Sequence, residues 1–322
     1  MDWKAVRQSI RGPGALISSI FDDDYKLRPD AIERNIRAIV GRGFGVNGGF
    51  LLAPCGDGEY VTLNAEEIGQ VVTAARRGSD GKLPVIAGVN SPDIRVAFKL
   101  AEVAREAGAV ALMAAPPMYY HLNEEAIIDY YERLAKAVDI GIMLYEQSWR
   151  GPAVNAGMKP DLVGRLLEIP NVVAIKHLGG FALGDEFTII DRYRDRLAYI
   201  DSSGGYATTA GHMHGAVGWV TEIAPIWPEF EMHYWQLLEA GQYREAELWR
   251  ARFAPVFEFV HAHPPNQTVY SWVNIIKAAL EYVGLEGGPV RPPFRALNAA
   301  ERRPLYAMFE QIGVPGSFPK AA

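Results

Sequence analysis

Short apolar runs alternate with amphipathic stretches along most of this 322-residue chain, and no other feature limits its fold as strongly. The strand candidates are residues 15–21, 49–53, 84–89, 110–115, 141–146, 172–177, 198–202 and 216–222. Helical periodicity fills the intervals at 30–42, 65–77, 93–107, 124–138, 159–168, 184–194 and 206–214, and returns at 227–239 after the last run. Asn64 and Asn123 precede acidic first turns, as N-caps do, and Gly43, Gly78 and Gly108 stand where helices end. A helix between two strands carries the chain back across the sheet, so the strands pair in parallel. Eight consecutive units favour an α/β fold of the closed (β/α)8 TIM-barrel type over a doubly wound sheet.

The barrel core with a short N-terminal helix is expected over 1–225. Residues 226–322 then supply the eighth barrel helix and three more helical stretches, 243–262, 270–282 and 299–311. Pro/Gly-rich segments at 263–266 and 284–293 separate them, and they read as a helical appendage packed on the barrel. Composition narrows the partners. Hydrophobic residues make up 49% of the chain, ample for a large core, and the net charge of −6 comes without a basic stripe, which argues against nucleic acid. Cys55 is the one cysteine, which leaves no disulfide framework and fits a reducing compartment. Residues 1–14 lack a signal-peptide core, and no apolar run approaches membrane-spanning length. The expectation is a cytoplasmic protein, without membrane partners, that handles small molecules.

Active sites of such barrels assemble at the carboxyl ends of the strands. Lys176 lies near the end of the run N-V-V-A-I-K-H-L, where an ammonium costs on the order of several kcal/mol to desolvate unless it is paired or loses its proton. A neutral lysine is a nucleophile that forms imines with carbonyl compounds. The strand alone fits equally a lysine that swings to the rim and meets a carboxylate. Tyr145 ends the fifth strand, the neighbour of the sixth; alone it is a packed aromatic, but beside Lys176 its phenol supplies the acid/base that imine chemistry needs. Arg150 follows in the next loop, either solvated or placed to grip a carboxylate bidentately. The second strand runs into L-A-P-C-G-D-G-E, where the backbone amides of Gly56, Asp57 and Gly58 form either a carboxylate cradle or a plain tight turn. After the fourth strand, A-P-P-M-Y-Y-H puts Tyr119 or Tyr120 at the same rim.

Taken together, A-I-K at one strand end, L-Y at another with an arginine five residues on, G-x-G-E followed by T-L, and P-P-x-Y-Y resemble the dihydrodipicolinate synthase and N-acetylneuraminate lyase family. Order and approximate spacing agree from about residue 15 to 225, and the trailing helices are similar as well. The resemblance implies a class I, Schiff-base lyase, assembled as a homo-oligomer (a dimer, or a tetramer of tight dimers), with no metal or organic cofactor. It implies Lys176 as the imine lysine, Tyr145 as the proton-relaying phenol, and Tyr119 as the tyrosine that completes the relay from a neighbouring subunit. Arg150 would hold the substrate carboxylate, and the loop 202–205, with Ser203, would line the pocket.

One departure bears on substrate. Family members that condense pyruvate with aspartate semialdehyde carry two hydroxyl residues in the second-strand turn, where this chain has Gly56 and Asp57. An aspartate repels a bound carboxylate but accepts hydrogen bonds from hydroxyls. The expectation is therefore aldol cleavage or dehydration of a 2-oxo-3-deoxy sugar acid or a related hydroxylated 2-oxo acid, with pyruvate as product or partner. The runner-up is 4-hydroxy-tetrahydrodipicolinate synthesis, and the reading from a different class is a non-catalytic barrel that binds 2-oxo acids. Other patterns carry less. The G-x-G-x-x-G at 43–48 follows a helix and precedes a strand, the reverse of a dinucleotide site. His212 with His214, and His261 with His263, are two apart on helices and diverge, which weakens a metal-dependent class II aldolase. Asp22 to Asp24 read as a solvated acidic loop.

Overall fold

The computed structural model describes residues 1–117, 122–146, 158–177, 183–264 and 267–316. Seven of the apolar runs form strands where expected and the first contributes only its start: β1 (Gly12–Leu16), β2 (Phe50–Leu52), β3 (Val85–Val89), β4 (Ala111–Ala114), β5 (Gly141–Tyr145), β6 (Val172–His177), β7 (Ala198–Asp201) and β8 (Gly218–Thr221). Each pairs in parallel with the next, and β8 returns to β1, so the sheet closes into a barrel without edges. Because strand side chains alternate, each strand feeds two layers. Inward residues such as Leu16, Phe50, Leu52, Ile86, Met113, Met143 and Val220 fill the barrel, while outward ones join the helices in a second, larger core.

The helices between strands are α2 (Pro29–Gly41), α3 (Ala65–Gly78), α4 (Ile94–Ala107), α5 (Glu124–Ala137), α6 (Pro160–Leu166), α7 (Leu183–Tyr193) and α8 (Thr208–His214), with α9 (Pro228–Glu239) after β8. Asn64 and Glu67 make a reciprocal capping box at α3, Asn123 caps α5, and Gly108 ends α4 in the left-handed region at φ 95°. A short α1 (Trp3–Ser9) precedes the barrel, and its Trp3 and Val6, with Ile10, cover the interior at the amino-terminal ends of the strands.

The first strand differs from expectation: it lies at Gly12–Leu16, not 15–21. Gly-Pro-Gly reads locally as a break. In the closed barrel it is what the interior admits, since a Cβ at Gly14 would overlap the Phe50 ring and one at Gly218 would overlap the Gly12 carbonyl. Beyond Leu16 the chain turns outward, and Ser19 donates from Oγ to the Gly58 carbonyl at 2.6 Å, tying the first-strand loop to the second-strand turn.

The trailing stretch 243–262 divides into α10 (Tyr243–Arg250) and α11 (Ala254–Ala262) around a 3-10 turn at Ala251–Phe253, where Pro255 has no amide hydrogen to continue the earlier helix. After these come α12 (Trp272–Tyr282) and α13 (Ala299–Ile312). Buried residues of α12, among them Ile275, Ile276, Ala279 and Leu280, belong to the same core as the outward face of the barrel. Among the described residues no helix is long and apolar enough to cross a membrane.

Candidate active site

Strand pairing places Tyr145 of β5 directly opposite Lys176 of β6. Both point into the barrel at its carboxyl end, and both are buried, at 3% and 6% exposure. The Lys176 Nζ sits 3.9 Å from the centroid of the Tyr145 ring. Among the described residues no carboxylate lies within ion-pairing distance of that amine. The other buried lysine, Lys277 of α12, has the opposite fate: its Nζ is 2.6 Å from Glu59 Oε1 and donates to the Pro289 carbonyl at 2.6 Å. One lysine is locked into structure, and the other faces open space.

That space is a cavity of about 420 Å³ at the barrel mouth, within the size range of small-molecule sites. Leu16, Leu52, Met113 and Val220 form its apolar floor, and Gly56, Asp57, Ser202, Ser203, Gly204 and Glu222 supply polar groups around Lys176. Its outer wall comes from the trailing helices: Phe257, Val260 and His261 of α11 and Trp272 of α12, joined by Tyr206 from the loop after β7. The appendage thus closes over the mouth of the barrel and completes the pocket.

The second-strand turn is held from several sides. Gly56 and Asp57 line the cavity, whereas Gly58 packs so tightly beneath the Ile17 carbonyl that a Cβ there would overlap it. The next residue, Glu59, adopts the left-handed region at φ 64°, a strained conformation for a residue with a side chain. Its carboxylate is fixed by Lys277 and by the Arg291 backbone N–H at 2.9 Å, so the glutamate of the G-x-G-E motif anchors the turn instead of facing substrate. Cys55 donates to the Ile17 carbonyl, and burial, followed by the charge of Asp57, pushes its thiol pKa up, which leaves it inert.

Glu222 follows β8 directly and was missed by sequence reasoning. Burial, followed by the repulsion of Asp57, raises its carboxyl to about 8, against the opposing pull of Lys176. A signal was present: the expected strand 216–222 ended on a carboxylate, at the end of the barrel where polar residues matter most. The aromatic wall had no such signal, because nothing local in 243–282 shows that these helices return to the mouth. Ser203 lines the cavity, but its hydroxyl donates to Asp201 Oδ2 at 2.9 Å and accepts from the Ala207 N–H at 2.8 Å. Tyr119 and Arg150 lie outside the described residues.

Behind the lysine strand is a buried polar layer on the outward face. The Tyr199 hydroxyl meets His177 Nδ1 at 2.9 Å, burial lowers the His177 pKa, and burial with the charge of Asp201 raises Glu186 to about 8. The helix histidines go separate ways. His212 approaches Glu239, His214 approaches Asp191 and stacks on Phe187, and His263 bonds the Phe259 carbonyl. His261 reaches the cavity mouth and stacks with Tyr206. Among the described residues no group of three or more His, Cys, Asp or Glu is placed to hold a metal ion. The glycines at 43–48 precede β2 and so sit at the face opposite the cavity.

A closed (β/α)8 barrel with a pocket of strand-end polar groups at its carboxyl face is the architecture of an enzyme. The chain belongs to the dihydrodipicolinate synthetase family, whose profile matches residues 10–312, and it is accordingly a class I aldolase-type lyase. A 4-hydroxy-tetrahydrodipicolinate synthase from Methanoculleus marisnigri is 30% identical over 90% of this chain and 95% of its own length. A protein named probable 5-dehydro-4-deoxyglucarate dehydratase, from Rhizobium meliloti, is 29% identical over 90% of this chain and 92% of its own. Among solved structures, the chloride-inhibited dihydrodipicolinate synthase from Acinetobacter baumannii, complexed with pyruvate, superposes with a TM-score of 0.83 at 23% identity, covering 95% of this chain and 99% of that one.

Proposed function

We propose that this protein is a Schiff-base lyase acting on a hydroxylated 2-oxo acid, most naturally a 2-oxo-3-deoxy sugar acid, with Lys176 as the imine-forming residue and no metal or organic cofactor. The observation that carries this reading is the Lys176 amine, buried in the cavity over Tyr145 with no carboxylate of the described residues locked onto it. The amine attacks the C2 carbonyl, and Tyr145 gives its proton to the carbinolamine hydroxyl, which leaves as water. The protonated imine is then an electron sink, so a bond one or two carbons away breaks. By the family resemblance, Arg150 grips the substrate carboxylate and Tyr119 joins the proton relay from a second copy of the chain in a homo-oligomer. The single buried Cys55 supports a reducing, cytoplasmic setting.

Relatives named for 4-hydroxy-tetrahydrodipicolinate synthesis match at 28–30% and those named for 5-dehydro-4-deoxyglucarate dehydration at 28–29%, so identity does not separate the two. The cavity favours the hydroxylated acid. Asp57 and Glu222 line it with carboxyl groups suited to hydrogen bonds with substrate hydroxyls. Borohydride reduction in the presence of pyruvate, followed by peptide mass mapping, tests the mechanism. A reduced adduct is expected on the peptide carrying Lys176 and is absent in Lys176→Ala; turnover without any adduct overturns the reading.

A further inference from the structure

We propose that Glu222 is the general acid of this lyase and that it commits the enzyme to dehydration, by protonating the hydroxyl that leaves C4 of a 2-oxo-3-deoxy acid held as its Lys176 imine. The inference rests on the imine reading above and settles a fork which that reading leaves open. Aldol cleavage and dehydration share the same iminium and both act at the C4 hydroxyl, with opposite proton demands. Cleavage of C3–C4 takes a proton off that oxygen, so it needs a base. Loss of the oxygen as water puts a proton on, so it needs an acid.

The barrel places different groups on the two flanks of the amine. Tyr145 lies on β5, directly against Lys176, whereas Glu222 follows β8, two strands away on the other side, with Asp57 beyond it at the end of β2. A substrate tethered through C2 therefore has the phenol on one flank of its attachment point and the carboxyl pair on the other. Among the described residues, the groups whose charge acts on Glu222 are Asp57, Lys176 and Glu231 of α9, and the Cys55 thiol is close by. Burial and Asp57 outweigh the attraction of Lys176, so Glu222 favours its protonated form at neutral pH. A protonated carboxyl in a pocket with an imine-forming amine is equipped for elimination.

The step balances. The Tyr145 phenolate left after carbinolamine collapse takes a proton from C3, and the C–H electron pair becomes the C2–C3 double bond of an enamine. The enamine expels the C4 oxygen with its bonding pair; that oxygen takes the Glu222 proton and departs as water, leaving a conjugated iminium. Hydrolysis at C2 releases a 2-oxo-3-enoic acid, and the proton freed with the lysine amine returns to Glu222.

Glu222→Gln keeps the side-chain shape and removes the acid. With 2-oxo-3-deoxygluconate and 5-dehydro-4-deoxyglucarate as probes, wild-type enzyme is expected to form dehydrated product without pyruvate, and the variant to do so about 10²–10⁴-fold more slowly. The variant should still trap pyruvate on Lys176 with borohydride, which shows a folded site and isolates the defect after imine formation. Wild-type elimination should decline as pH rises through about 8, and the residual rate of the variant should lack that limb. Near-wild-type elimination by the variant, pyruvate release by the wild type, or failure of the wild type to consume either probe overturns the assignment. Failure of the wild type to trap pyruvate overturns the imine reading instead.

Discussion

In the proposed reaction, Asp57 is the residue through which substrate preference and acid strength are joined. It lines the cavity in the turn after β2, and its charge is the second cause, after burial, of the high proton affinity of Glu222. Asp57→Asn removes that charge with little change in shape, so Glu222 should ionise more readily. The alkaline limb proposed for elimination, expected near pH 8 in the wild type, should move to lower pH, because the acid form is lost earlier. A pH–rate series on the two proteins checks this, and an unmoved limb means that Asp57 does not govern Glu222. At this scale the sequence was readable where one strand carried the whole signal. Lys176 and Tyr145 share the inward parity of their strands, and the apolar run around Lys176 marks it as buried without any knowledge of its neighbours. Glu222 was equally visible at the end of its run, but its meaning depends on Asp57, 165 positions away in the chain, and on a barrel that brings the two face to face.

Among elements, the decisive joint is between the second-strand turn and the trailing helices. Glu59 and Lys277 are 2% and 3% exposed, 2.6 Å apart, and Arg291 adds both its backbone N–H to Glu59 and an ion pair with Glu67 of α3. Breaking a buried pair from one side leaves an uncompensated charge, so Lys277→Met should cost about 3–5 kcal/mol. The double variant Glu59→Gln with Lys277→Met should recover part of that loss. Denaturant unfolding of the three proteins decides it; a single variant as stable as wild type would mean that the pair carries no tertiary weight. This joint also shows where sequence reading stops. Period and caps located the helices to within a residue or two, as at 65–77 against Ala65–Gly78, because those signals are local. The first strand was displaced because Gly-Pro-Gly has low strand propensity, and only the interior beside Phe50 and the seam with Gly218 explain its use. The appendage was legible as helices but not as a wall of the pocket, since the contact of Phe257 and Trp272 with the mouth is set by tertiary closure alone.

Across the whole molecule, buried carboxyls make stability depend on pH in an unusual direction. Glu186 and Glu222 are each raised to about 8 and Glu231 to about 7, all chiefly by burial, and Asp201 is raised as well. Glu231 illustrates the arrangement: it accepts from Trp219 Nε1 at 2.7 Å and Thr221 Oγ1 at 2.9 Å behind β8, bonds that hold it in place without offsetting its desolvation. When the folded pKa lies above the unfolded one, the folded chain keeps protons that the unfolded chain releases, so stability falls with rising pH across that interval. For Glu186 the contribution is complete below its ordinary value of 4.5 and is lost as pH rises through about 8. Carboxyls shifted the other way, such as Glu67 beside Arg291, act only at more acid pH, where their loss turns the curve down again. The melting temperature should therefore decline between about pH 5.5 and pH 8.5 instead of holding a plateau. Glu186→Gln should flatten that decline, because it removes one fully buried titrating carboxyl that lies on the outward face, away from the cavity. Thermal melts of both proteins across the interval test the argument, and a wild-type melting temperature that rises toward alkaline pH would show that these carboxyls are charged in the folded state.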